Sequence, residues 1–275
     1  MASVLIIGCG AIGTGLAMAL GAQGHVVTGL KRQPPETPSL IQYIKADITS
    51  TESINALDLA VDVVFFIVSA DGRTESSYRS VYVDGLQNAL AKFPKQAWFF
   101  VSSTRVYGQS QGEWVDEDSA TEPEAITSQL ICQAEQRVVA TNPNHVVVRF
   151  SGIYGPGRDY LLRTARQSPA IQQTPPYFTN RIHQQDCIGV LVFLLQKRLA
   201  GAPLAACYLA SDDDPAPLWE VVSWLAAQMA CGPPVAKTID GLADGNKRCR
   251  NQRLKALGYQ FRYPSYRAGY AGLVK

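Results

Sequence analysis

Short runs of consecutive apolar residues recur along the first two-thirds of the chain. Between them lie segments whose apolar positions repeat every three or four residues. The runs cover residues 4–7, 26–30, 43–45, 63–68, 98–102 and 146–150. They are almost uninterrupted where a half-exposed strand would alternate, the signature of parallel strands covered on both faces. Tyr78, Val81, Tyr82, Leu86, Ala89, Leu90 and Phe93 form a one-face helical stripe, and Ile126, Leu130, Ile131, Ala134 and Val138 form another. Strands alternating with helices need right-handed crossovers and predict a doubly wound α/β sheet. After residue 150 the rhythm loosens. Gly155-Pro156-Gly157 and Pro175-Pro176 mark loops, residues 188–195 and 218–229 read as helices, and 208–210 as a last strand. The division expected is a first domain over 1–150 and a smaller lobe over 151–275, interleaved with it.

The first strand runs directly into Gly8-Cys9-Gly10-Ala11-Ile12-Gly13 and then a helical pattern. Gly8 permits a tight turn, Gly10 admits the close approach of a pyrophosphate, and Gly13 lets the helix pack on the strand. The free N–H groups and dipole of that helix then face the anion. Such a motif is weak alone and specific between a first strand and a first helix. After the second strand an acidic residue would hold the ribose 2′-hydroxyl of NAD. Here stand Lys31 and Arg32, with no acid before Glu36. Two cations suit a 2′-phosphate and favour NADP over NAD, unless they form a solvated basic turn. Asp47, after the third strand, reads as an adenine-side contact or as a helix N-cap.

Composition narrows the classes. The chain has 275 residues, 25 Lys and Arg against 23 Asp and Glu, and 47% hydrophobic residues. This is a globular composition with no overall bias toward polyanions. The near-neutral sum conceals segregation: residues 113–124 hold six acids and no base, residues 245–275 eight bases and no acid. The acidic segment reads as a solvated loop or a lid, the basic tail as a packed element with a charged face. No nucleic-acid module is recognisable. The six cysteines are scattered, without disulfide or zinc spacing, so reduced thiols and a cytoplasmic location are expected. The apolar start lacks the basic residues of a secretory signal, and no later stretch suits a bilayer.

Several segments in order resemble the extended short-chain dehydrogenase/reductases, the NAD-dependent epimerase/dehydratase family. They are the glycine motif, Ala46-Asp47-Ile48, the run Val101-Ser102-Ser103-Thr104-Arg105-Val106-Tyr107-Gly108, Arg149 through Gly157, and Ile182-His183-Gln184-Gln185-Asp186. The resemblance implies a Rossmann sheet with a substrate lobe, a bound NAD or NADP, a small-molecule substrate, an anionic one included, and a homodimer. From the charge balance, the hydropathy and the lack of a His pair or Cys cluster, no nucleic-acid partner, membrane partner or metal is expected.

The departures are specific. Family catalysis uses a Tyr with a Lys four residues later, which lowers the phenol pKa. Thr127 and Ile131 stand there, and none of the 12 Tyr has a Lys four residues on. Gly152-Ile153 replaces the Asn common in nucleotide-sugar enzymes, and Ile7 the first family glycine. Ser103 keeps the position of the family's hydrogen-bonding serine. His183 is the pH-matched group for acid/base work, or a packed histidine before a helix. Arg105, Tyr107, Tyr154 and Arg181 are the remaining substrate-side candidates; the tyrosines also read as packing, and Arg181 as solvated. Two readings follow: an NADP-linked oxidoreductase or epimerase-like enzyme with unusual acid/base groups, or a non-catalytic NADP-binding sensor that holds a partner.

Overall fold

Five strands, β1 (Ser3–Ile7), β2 (Val26–Lys31), β3 (Gln42–Lys45), β4 (Val63–Phe66) and β5 (Ala97–Ser103), form one part of a sheet, apolar at its middle and half polar at the β3 edge. In the computed structural model, which describes residues 1–36, 39, 41–238 and 245–274, they pair in parallel as β5-β4-β1-β2-β3. β6 (Val146–Phe150) and β7 (Cys207–Ala210) extend it to seven strands, order β7-β6-β5-β4-β1-β2-β3. β1 and β4 have no partner change to make: Val4 to Ile7 and Val64 to Phe66 are fully buried. Phe65 stacks on Phe99 at 4.8 Å and Phe66 on Phe100 at 5.6 Å, so neighbouring strands are locked by side chains in register. This is the Rossmann arrangement, in which the chain reverses direction of winding between β1 and β4.

The chain resolves into two compact units of discontinuous segments. The first comprises Met1–Val106, Glu124–Arg149 and Ile188–Tyr208. Its connecting helices are α1 (Ala11–Ala22), α2 (Thr51–Asn55), α3 (Glu75–Arg79), α4 (Leu86–Lys92), α5 (Ile126–Thr141) and α6 (Gln184–Leu199), the last entered from the second unit. The stripe from Tyr78 to Phe93 predicts one helix, whereas Ser80–Gly85 is a π-helical turn between α3 and α4. A Cβ on Gly85 would lie 2.8 Å from Ile48 and 3.1 Å from the Ser80 carbonyl, so the wide turn needs glycine there. The fourth strand also ends earlier than its apolar run, and Ile67 and Val68 leave it.

The second unit comprises Tyr107–Pro123, Phe150–Cys187 and Leu209–Lys275. It is built on two-stranded pairings: Gly152–Tyr154 with Arg181–His183, and Ala170–Thr174 with Val235–Thr238. Tyr154, Leu162, Val221, Val222, Leu225, Tyr266 and Tyr270 form its apolar centre. The acidic segment begins as a short strand and continues through residues 116–123 as turn and loop, with Asp118 and Glu122 exposed. Its Glu113–Val115 strand pairs with Lys247–Cys249 of the basic tail, and Arg253 bridges Asp118 at 2.6 Å and Glu117 at 3.7 Å. Other cations of the tail go elsewhere: Lys255 pairs with Asp213 at 3.0 Å, Arg267 with Asp214 at 3.5 Å, and Arg248 and Arg250 lie over the Trp114 ring.

One buried ionic cluster fixes α5 to the sheet. Glu135 of α5 takes Arg149 of β6 through Nε at 3.0 Å and Nη2 at 2.6 Å, and Ser102 of β5 donates to the same carboxylate. Removing one partner strands the other charge, which costs about 3–5 kcal/mol. Glu135→Ala is therefore expected to lower unfolding stability by about that amount in a denaturant titration. The Glu135→Leu/Arg149→Met double variant should recover most of it, because an apolar pair replaces the stranded charge. A single-variant loss below about 1 kcal/mol would contradict this role.

Candidate functional site

A cavity of about 630 Å³ opens at the carboxyl ends of β1, β2, β3 and β4, all in the first unit. Adjacent strands wound to opposite faces leave such a crevice at their carboxyl ends, which is why ligands of this architecture sit there. Its floor is the turn after β1. Gly8 has φ +99, and a Cβ on it would stand 2.6 Å from the Ile67 carbonyl oxygen. Gly13, one turn into α1, leaves 2.3 Å between such a Cβ and the Gly8 carbonyl. Nothing stands within 4 Å of the Cβ position on Gly10. The turn is thus pressed against β4 and α1 on its inner side and open toward the cavity.

Gly10 is the N-cap of α1, with no side chain capping it. The first N–H groups of α1 consequently have no intrahelical acceptor and offer donors with a positive dipole end. Gly8, Cys9 and Gly10 line the cavity, whereas Ala11 is an exposed first-turn residue and the Ile12 side chain is buried. The Cys9 thiol donates to the Ile6 carbonyl at 3.6 Å, and burial pushes its pKa up to about 11, so it is a packing group and no nucleophile.

Lys31, Arg32 and Gln33 form the β2 side of the mouth, and Ala46, Asp47, Ile48 and Thr49 the β3 side. Asp47 Oδ1 accepts from Thr49 N at 2.9 Å and Thr49 Oγ1 at 2.8 Å, which fixes the carboxylate. Ser50, not Asp47, caps α2 by accepting from Ser53 N. The sequence reading missed Ser69, Asp71 and Val81, which close the β4 side. Asp71 is ion-paired to Arg32 across the mouth. Nothing in the local pattern around residue 71 marks it, because only the β1–β4 adjacency brings its loop here.

Ser103 ends β5, and its Oγ accepts from Arg105 N at 3.3 Å, leaving its own proton to donate. Thr127 is half-buried in the first turn of α5, and Ile131 is buried one turn on. Arg105 is exposed. These four belong to the first unit.

The remaining candidates lie in the second unit and are buried. Tyr107 donates to the Asp116 carbonyl at 2.7 Å. Tyr154 stacks on Tyr270 at 4.4 Å and meets the His183 ring edge-on at 5.3 Å. His183 Nδ1 accepts from Gln185 N at 3.2 Å, and burial lowers its pKa despite Asp186 nearby. Asp186 is itself committed: its carboxylate takes Arg262 N, Tyr263 N and the Tyr259 hydroxyl at 2.8 to 3.0 Å. Arg181 is not a solvated cation. It is buried with Nη1 unpartnered, donates to Thr179 Oγ1, and lies over the Tyr266 ring. Among the described residues no group of three or more His, Cys, Asp or Glu could hold a metal ion, and no helix is long and apolar enough to cross a membrane.

Comparison with known proteins places this geometry. A structure from Methylobacillus flagellatus, of the NAD-dependent epimerase/dehydratase class, superposes with TM-score 0.85 at 36% identity, covering 99% of this chain and 97% of that one. A 3-diazoavenalumate denitrifying reductase from a Streptomyces species is 24% identical over 97% of this chain and 98% of its own. The human epimerase family protein SDR39U1, solved with NADPH, shares the fold with TM-score 0.76 at 22% identity, over 97% of each chain. The model of the NAD dependent epimerase/dehydratase family matches residues 4–198, which is most of the chain and includes β1 from Val4 onward and all of β2 to β5. The chain belongs to the NAD-dependent epimerase/dehydratase family.

Proposed function

We propose that the protein is an NADP-linked oxidoreductase acting on a small substrate. The observation that carries this is the pairing of an open α1 N-terminus with Lys31 and Arg32 at the far side of one cavity. The pyrophosphate would rest on the N–H groups after Gly10, with the adenosine 2′-phosphate on Lys31 and Arg32 and the adenine edge on Asp47. Arg suits that phosphate because its fork matches two oxygens at once. The human relative was solved with NADPH and a short-chain dehydrogenase/reductase superfamily protein from Agrobacterium tumefaciens with NAD, which supports a nicotinamide cofactor and leaves the choice of NADP to Lys31 and Arg32.

Bound NADPH supplies a hydride. Ser103, whose Oγ accepts from Arg105 N, would donate its hydroxyl proton to a substrate oxygen on which negative charge develops. Thr127 cannot deliver a proton as a family Tyr does, since an unassisted hydroxyl does not ionise near neutrality. Two acceptor classes fit that deficiency: a carbonyl whose oxygen is protonated by solvent, and an acceptor that is already cationic and needs no proton. The Streptomyces relative is named a reductase, which supports a reductive reaction without choosing between the two classes. His183 is the remaining pH-matched group, held by Gln185 N and disfavoured as a cation by burial.

Titration of the protein with each nicotinamide cofactor tests the binding half. NADPH is expected to bind at least tenfold more tightly than NADH. Arg32→Ala should weaken NADPH by about tenfold or more, the worth of a charge-assisted hydrogen bond, while leaving NADH within about twofold. Tighter NADH binding would overturn the assignment. The chemical half is tested by NADPH oxidation with a panel of ketones, aldehydes and imines. Ser103→Ala should lower kcat/KM by about a hundredfold with the NADPH dissociation constant unchanged. Tight NADPH binding with no turnover on any acceptor would instead favour a non-catalytic sensor.

A further inference from the structure

The Arg32–Asp71 ion pair joins two loops that meet only at the mouth of the cavity. Arg32 follows β2, and Asp71 lies in the connection from β4 to α3. Both side chains are open to solvent, 60% and 69% exposed, so packing does not force them together. The loop is nonetheless shaped. Gly72 has φ +100 immediately after Asp71, and Thr74 caps α3 by accepting from Ser77 N at 3.2 Å. Asp71 lines the cavity, with Gly72 and the Thr74 cap on the side of the loop that leads into α3.

We infer that Asp71 is a specificity-determining residue that sets the ratio of NADP to NAD binding by competing for Arg32. The inference rests on the proposed NADP site. A 2′-phosphate and the Asp71 carboxylate each present two oxygens to one guanidinium fork, and the fork cannot serve both fully. To seat the phosphate, Arg32 must release Asp71, and Asp71 is then a like charge beside a phosphate dianion. NAD carries no phosphate at that position and meets neither cost. Asp71 therefore handicaps NADP without touching NAD, and moderates a preference that Lys31 and Arg32 would otherwise make stronger. Exposed ion pairs are weak, so the handicap is modest and the phosphate still wins.

The test is a double-mutant cycle on Arg32 and Asp71, read as dissociation constants for NADPH and NADH. Asp71→Asn should tighten NADPH about three- to tenfold and leave NADH within about twofold. Asp71→Glu restores the carboxylate and should return NADPH affinity to near the native value. In the Arg32→Ala background, Asp71→Asn should give a smaller gain, because only the direct repulsion is left to relieve. Unchanged or weaker NADPH binding in Asp71→Asn, with native NADPH binding intact, would overturn the role of Asp71 alone. A loss of NADH affinity in Asp71→Asn would overturn it too, by making Asp71 a ribose ligand. Failure of the native protein to bind either cofactor would overturn both this inference and the NADP site beneath it.

Discussion

The close approach of the first turn to its neighbours is the constraint on which the site depends. With 2.6 Å between a Gly8 Cβ position and the Ile67 carbonyl, and 2.3 Å between a Gly13 Cβ position and Gly8, no side chain fits on the inner side of the turn. The backbone therefore lies flat against β4, α1 starts directly above the strand ends, and its free N–H groups face open space at Gly10. Buried β1 and β4 hold that approach from below, since neither can shift without exposing a wholly apolar strand. The cavity, its cationic rim and its carboxylates are all arranged around this contact.

Local pattern disclosed what is local. The glycine turn, the strand runs, Lys31, Arg32 and Asp47 each follow from spacing within a few residues. Features decided by strand order did not show: Ser69, Asp71 and Val81 reach the cavity because β4 lies beside β1 although 56 residues separate Ile7 from Val63. The stripe from Tyr78 to Phe93 marked helix correctly but could not show the π turn, because one extra residue per turn leaves the apolar face nearly intact. The acidic and basic blocks were plain as charge, yet their mutual pairing spans more than 130 residues of chain and has no short-range signal.

The catalytic helix shows how a scaffold and its chemistry can separate. Glu135 still anchors α5 to Arg149 and Ser102, and Ser103 keeps its place at the end of β5. The anchor fixes the helix whatever side chains stand at 127 and 131. Thr127 and Ile131 can thus stand in α5 without disturbing the fold, and in the proposed reaction the acid/base work falls to the substrate or to solvent. The proposed cofactor side is under a different restraint, because the N–H groups it would use are backbone atoms whose placement depends on Gly8 and Gly13.

Amide hydrogen exchange with and without saturating NADPH tests most directly whether a dinucleotide lies on that turn. Slowed exchange in residues 9–14, 31–33 and 67–71, with residues 218–228 of the second unit unchanged, is the expected result. Protection confined to the second unit, or none at all, would contradict a cofactor seated on the N-terminus of α1.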